Sequence, residues 1–172
     1  DLRSGNTTPR RMFNAFVFWV WHNIAGAGLG VGSAMRFLYD QWQKLIGGSP
    51  YPWRAGRIPK GTPTPALQLD IREGDYVRTK SYREILETLD GEWKNRGLYF
   101  DAEMVPYTEK KLKVLKRVSR LIHEKTGKML VFKTPCMILE GSVCEAKYAK
   151  CRKLCPRRYY LYWRDIWVTK TS

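Results

Sequence analysis

Between Arg11 and Arg36 lie 24 residues, Met12 to Met35, without a single Lys, Arg, Asp or Glu. No other feature restricts so strongly what this chain can fold into. As one α-helix rising ~1.5 Å per residue, the run would reach about 36 Å, more than the ~30 Å hydrocarbon core of a bilayer. It is therefore expected to be an apolar, membrane-embedded helix that opens a helical region over residues 12–47, after a tail over 1–11. The second half of the run, GAGLGVGSA, sets Gly26 with Gly30 and Gly28 with Gly32 at i, i+4 spacing, which lets helix backbones approach closely in lipid. Asn14, His22, Asn23 and the glycines pull the other way, toward a helix buried against the domain or a partner. A secretory signal fits less well, because the run is long for an h-region and FLYDQWQKLI follows directly.

Two chemical readings attach to this run. GAGLGVG invites a dinucleotide site, but G-x-G-x-x-G needs glycine where the chain has Val31, Ser33 or Met35, so that reading fails on spacing. His22, inside an apolar segment, must be paired, face a cavity or ligate something. An axial-ligand role to a haem or metallated pigment is one candidate, and hydrogen bonding between helices or a wet pocket is the other.

Five prolines between Pro50 and Pro65 exclude a helix interior or central strand, so residues 48–68 read as an extended linker carrying Arg54, Arg57 and Lys60. A domain then fills 69–172. Within it, Ser81 and Glu84 form a capping box that starts a short helix. KLKVLKRVSRLIHEKTGKMLVF reads as two strands joined at EKTGK, with one helical face as the alternative. YYLYWRDIWV reads as a closing strand. Asp101 and Glu103 alternate on an expected strand, either as a reactive carboxylate pair or as a satisfied structural one.

All four cysteines, Cys136, Cys144, Cys151 and Cys155, fall within twenty residues. Four thiolates could hold zinc in a tetrahedron, although only Cys151 and Cys155 approach the usual close-pair spacing. An iron–sulfur cluster, two disulfides and unligated thiols remain open beside zinc. Lys147, Lys150, Arg152 and Lys153 would favour thiolates, and with Arg157 and Arg158 they form a candidate anion- or partner-binding patch. Glu140 and Glu145 are near enough to be imagined as a general base but read more simply as solvated carboxylates, and His123 as a surface histidine. With no P-loop, nucleophile elbow or triad pattern, the chain is expected not to be an enzyme.

Charge is uneven: residues 1–60 carry 8 basic and 2 acidic side chains, 61–105 carry 6 and 9, and 106–172 carry 17 and 5. Such a field suits anionic lipid, an acidic protein surface or nucleic acid. Tyr148, Tyr159, Tyr160, Tyr162 and Trp163, interleaved with the cations, keep nucleic acid in play through stacking. The larger positive excess follows the apolar run, which places the C-terminal domain on the cytoplasmic side. A chain beginning at Asp1 is expected to be processed or incompletely represented.

RIPKGTPTP, GLYFDAEMVPY, EKTGKML, PCMILEGSVC and CRKLCPRRYYLYWRDIW together resemble an uncharacterised bacterial family of short basic proteins often found near polysaccharide-biosynthesis genes. The resemblance runs from about Ile71 to Val168. It implies that the cysteine stretch is a metal-site pattern mapping onto Cys136, Cys144, Cys151 and Cys155. The order of turns and short strands also looks, by analogy, like an SH3-like small barrel. The expectation is then a mainly β fold with minor α: a small SH3-like barrel with a four-cysteine site, preceded by an apolar, transmembrane helix. Its expected role is an accessory or scaffold subunit of a membrane complex, with other subunits and anionic headgroups as partners and zinc as cofactor. A nucleic-acid-binding module and an accessory factor in polysaccharide biosynthesis are the alternatives.

Overall fold

The computed structural model describes residues 7–27, 30–123, 125–149, 155 and 157–171. The chain divides into two compact units, Asp1–Arg54 with Val143–Tyr159, and Ala55–Ser142 with Tyr160–Ser172.

In the first unit the apolar run is not one helix but a hairpin of two, α1 (Pro9–Gly26) and α2 (Gly32–Leu45). Thr8 caps α1 by accepting from the Arg11 N–H at 3.3 Å, and Pro9 opens its first turn, where a missing N–H costs nothing. Gly30 and Gly32 serve the turn between the helices rather than a bilayer packing face, and Gly28 lies outside the described residues. Gly30 has φ +71°, and a Cβ at Gly32 would lie 2.7 Å from the Ala25 carbonyl oxygen. Only glycine lets α2 begin that close to the end of α1. The Trp21 indole N–H, donating to the Met35 carbonyl at 2.8 Å, ties the two helices together.

This break corrects the transmembrane expectation. The 18 residues of α1 reach only about 27 Å, and among the described residues no helix is long and apolar enough to cross a membrane.

The second unit is built on a five-stranded antiparallel sheet in the order β6-β5-β4-β1-β7, with β1 Tyr76–Thr79, β4 Lys111–Ile122, β5 Met129–Val143, β6 Tyr160–Trp163 and β7 Val168–Thr171. The hairpin expected at EKTGK is present, joining β4 to β5. The expected closing strand is instead two strands, broken at a 3₁₀ turn over Asp165–Trp167. That turn lets β6 sit beside β5 while β7 pairs with β1, Thr79 opposite Val168.

Between β1 and β4 come α3 (Tyr82–Leu86), the small hairpin β2 (Lys94–Asn95) with β3 (Leu98–Tyr99), and a 3₁₀ turn over Ala102–Tyr107. The Ser81 capping box forms as read from the sequence: Ser81 N–H donates to Glu84 Oε2 at 2.9 Å and Glu84 N–H to Ser81 Oγ at 3.3 Å. Asp101 and Glu103 are not on a strand. Asp101 caps the 3₁₀ turn, accepting from the Glu103 N–H at 2.8 Å. The core gathers Phe100, Trp163 and Trp167 edge-to-face, with Phe100 and Trp167 centroids 5.2 Å apart. Both indole N–H groups are satisfied, Trp163 by Ser142 at 2.8 Å and Trp167 by Thr88 at 3.0 Å, as burial of an indole requires.

The expected mainly β, SH3-like barrel preceded by a spanning helix therefore gives way to a mixed α/β fold: a helical hairpin, a third short helix and a five-stranded antiparallel sheet. The physical reason is the glycine break, which turns an expected anchor into packed secondary structure.

Candidate functional site

Helical periodicity divides α1 into two faces. Ala15, Phe18 and Ala25 are buried, with His22 half-buried beside them, at 3- and 4-residue steps. They meet an aromatic cluster: Phe18 stands edge-on to Tyr148 at 4.7 Å between centroids and to Tyr39 at 6.0 Å, and Trp21 stacks on Trp42 at 6.1 Å. Asp40 on α2 accepts from the Tyr51 N–H at 2.7 Å and pairs with Arg54, folding the following segment back onto the cluster. Burial, then the neighbouring Tyr148, pushes the Tyr39 hydroxyl far above its ordinary pKa, so it stays protonated.

His22 belongs to this cluster. Its Nδ1 hydrogen-bonds the Tyr51 hydroxyl at 2.7 Å, and its ring stacks on Phe18 at 5.7 Å. This bond runs from α1 to the segment that follows α2, not between the two helices.

The opposite face of α1 is also apolar, and it is open. Met12, Phe13, Phe16, Trp19 and Ile24 are all exposed, Phe13 at 65% and Phe16 at 59%. On α2, Phe37, Leu38 and Leu45 are exposed as well, as is the C-cap residue Ile46. An amphipathic surface helix normally turns polar residues to solvent, so an aromatic outer face marks a surface that something covers. Arg10, Arg11, Arg36 and Lys44 lie on the same hairpin, and the first turn of α1 holds no acid.

Among the described residues, no group of three or more His, Cys, Asp or Glu side chains is placed to hold a metal, which corrects the expected metal-binding pattern. Cys136 is buried in β5, its thiol donating to the Val118 carbonyl at 3.6 Å. Burial pushes that thiol up to about 11 despite the nearby Arg164 and Arg117, so at neutral pH it is a neutral group. Cys144 belongs to the other unit and is buried there, its N–H donating to the Tyr159 carbonyl at 2.9 Å. Cys155 is a half-buried thiol. Cys151, Lys150, Arg152 and Lys153 lie outside the described residues.

The remaining members of the basic patch are placed individually. Lys147 lies over the Tyr148 ring at 4.9 Å, Arg158 approaches Glu145 at 3.8 Å, and Arg157 is exposed. Two arrangements carried no signal in the sequence. Arg117 clamps the buried Asp165 through both carboxylate oxygens, at 2.6 and 3.1 Å, 48 residues away. Arg10, Asn14 and Gln43 converge with Lys147 on one cavity of about 180 Å³ in the first unit.

No protein-family profile, characterised protein or solved structure matches the chain, so the resemblance of residues 71–168 rests on its motifs alone.

Proposed function

We propose that this chain is an accessory docking protein that binds an anionic membrane surface through the outer face of α1, lying in the interface plane rather than crossing the bilayer. The observation that carries this reading is the exposed row Met12, Phe13, Phe16, Trp19 and Ile24 on a helix with arginines at its start. Aromatic side chains on one face with basic residues at hand are what an interfacial helix uses.

The magnitudes favour a two-part attraction. Full burial of a large apolar side chain is worth about 1.5–3 kcal/mol, and these five are roughly half exposed, so together they supply about 5 kcal/mol. That matches a single myristoyl chain, which binds only marginally and reversibly. Arg10 and Lys44 would each add about 1 kcal/mol at an anionic leaflet, whereas Arg11 is already paired with Glu145. Membrane binding is thus expected to need both terms. Flotation of the intact chain with vesicles of phosphatidylcholine alone or with phosphatidylserine tests this: binding should require the anionic lipid and weaken at high salt. A chain that stays with the aqueous fraction in both mixtures would refute it.

A second reading has its own observation. Lys111, Lys116, Arg120, Lys125, Lys128 and Lys133 are exposed along the β4–β5 ribbon, and such a ribbon suits a nucleic-acid backbone. RNA binding with a steep salt slope in a chain that ignores vesicles would favour it.

A further inference from the structure

The cavity at the open end of the helical hairpin has a composition of which the docking reading uses only Arg10. Arg10 and Asn14 reach it from the first turns of α1, Gln43 from the last turn of α2, and Lys147 from the segment that carries Tyr148. Its wall is aromatic, formed by Phe18, Tyr39 and Trp42. No Asp or Glu is among the lining residues, and Arg10 and Lys147 form no ion pair among the described residues. Two cations thus face a space with no counter-charge among the described lining residues.

Gln43 adds an independent sign. It is only 6% exposed, no side-chain hydrogen bond holds its amide among the described residues, and that amide is not one of the sealed polar atoms of the fold, so it opens onto the cavity it lines. Gly48 packs directly on it: a Cβ there would lie 1.8 Å from Gln43 Oε1. Glycine keeps the amide in its place at the cavity wall. The N-terminal end of α1 adds backbone N–H groups and a positive dipole end nearby.

We propose that this cavity is a binding site for a phosphate group, held by Arg10 and Lys147 with Asn14 and Gln43 as neutral donors. The chemistry selects the ligand. Two cations and two amides exceed what one carboxylate can accept, whereas a phosphate offers up to four oxygens and two charges. Size selects too. At about 180 Å³ the space is well above the ~10–15 Å³ one water needs and below the ~300–1,000 Å³ of sites for larger organic ligands. A phosphate or small phosphate ester fits, and a whole nucleotide does not. The group comes either from a soluble phosphate ester or from a lipid headgroup, and the site does not depend on membrane docking.

Titration of the intact protein with inorganic phosphate and with glycerol 3-phosphate, read calorimetrically, tests the site. Saturable binding is expected, weakened about tenfold or more for each cation removed in Arg10→Gln and Lys147→Gln, since a charge-assisted bond is worth about 1.5–3 kcal/mol. Gly48→Ala keeps both cations but displaces the Gln43 amide, and should also weaken binding while circular dichroism and melting temperature stay near those of the parent. Absence of saturable binding in the folded parent protein, or parent-like affinity in Gly48→Ala and both charge variants, would overturn the proposal. Vesicles carrying phosphatidic acid then separate the sources. Release of vesicle-bound protein by free phosphate assigns the site to headgroups, and phosphate binding that leaves vesicle binding unchanged assigns it to a soluble ester.

Discussion

Phe13 and Phe16 offer the sharpest test of the docking face, because the fold hardly uses them. They are 65% and 59% exposed, and the described ring contact of Phe16 is a stack on Trp19 at 6.0 Å. Replacing both by serine should therefore cost the folded chain little, about 1 kcal/mol, from the lost aromatic pair and partial burial. Membrane partitioning should respond far more. Each ring would bury roughly its exposed 60% in the interface, worth about 1–2 kcal/mol, so the pair contributes about 2–4 kcal/mol. The partition coefficient to phosphatidylserine-containing vesicles should fall about 30- to 1,000-fold, with a melting temperature within a few degrees of the parent. Co-sedimentation over a lipid titration, alongside thermal denaturation followed by circular dichroism, gives both numbers. A fall of less than threefold in partitioning would show that the face does not meet lipid. A large loss of stability with the same substitutions would show instead that these rings belong to a core.

Three further expectations follow from the packing. Gly32→Ala puts a methyl 2.7 Å from the Ala25 carbonyl oxygen, a backbone clash, and should destabilise the hairpin by about 1–3 kcal/mol, as overpacking does, measured by urea denaturation. Asp165→Asn removes the charge that Arg117 clamps in a site only 3% exposed, and should cost about 3–5 kcal/mol in the same assay. Cys136 has a folded pKa raised from 9.0 to about 11 by burial. The thiol's contribution to stability is then fully present below about pH 9 and lost as pH rises toward 11, because the unfolded chain ionises first. Cys136→Ala should flatten that alkaline decline in denaturation midpoints, and in the parent at neutral pH mass-mapped alkylation should reach Cys155 well before Cys136.

What the sequence disclosed was local. The Ser81 and Glu84 capping box needs residues three apart and nothing else, and both reciprocal bonds form. The turn between β4 and β5 was equally legible, because EKTGK sits between two β-branched, basic runs. The paired carboxylates Asp101 and Glu103 misled, since alternation suggested a strand whereas the Asp101 side chain caps a 3₁₀ turn. The cysteine cluster is legible only in part, since Cys151 lies outside the described residues. Cys136 and Cys144 are close in sequence, but β5 carries the chain from one compact unit into the other between them. The cavity residues Arg10, Asn14, Gln43 and Lys147 span most of the chain, so no spacing rule could have joined them.

The apolar run from Met12 to Met35 is the most instructive failure, because counting charges merges two different causes of their absence. One side of α1 lacks charge because Ala15, Phe18 and Ala25 pack into the aromatic cluster of its own hairpin. That half of the signal is ordinary core formation, made possible by the close approach at Gly32. The other side lacks charge although no described side chain covers Phe13 or Phe16 fully, and core packing gives no reason for that. A helix selected only for its inner face would tolerate Lys or Glu at positions 13, 16 and 19 and gain solubility. Aromatic residues at all three leave an external surface as the physical reason, and the transmembrane reading was wrong about geometry while pointing at the same apolar excess. The two causes separate by measurement: substitutions on the inner face should lower stability, and those on the outer face should lower binding.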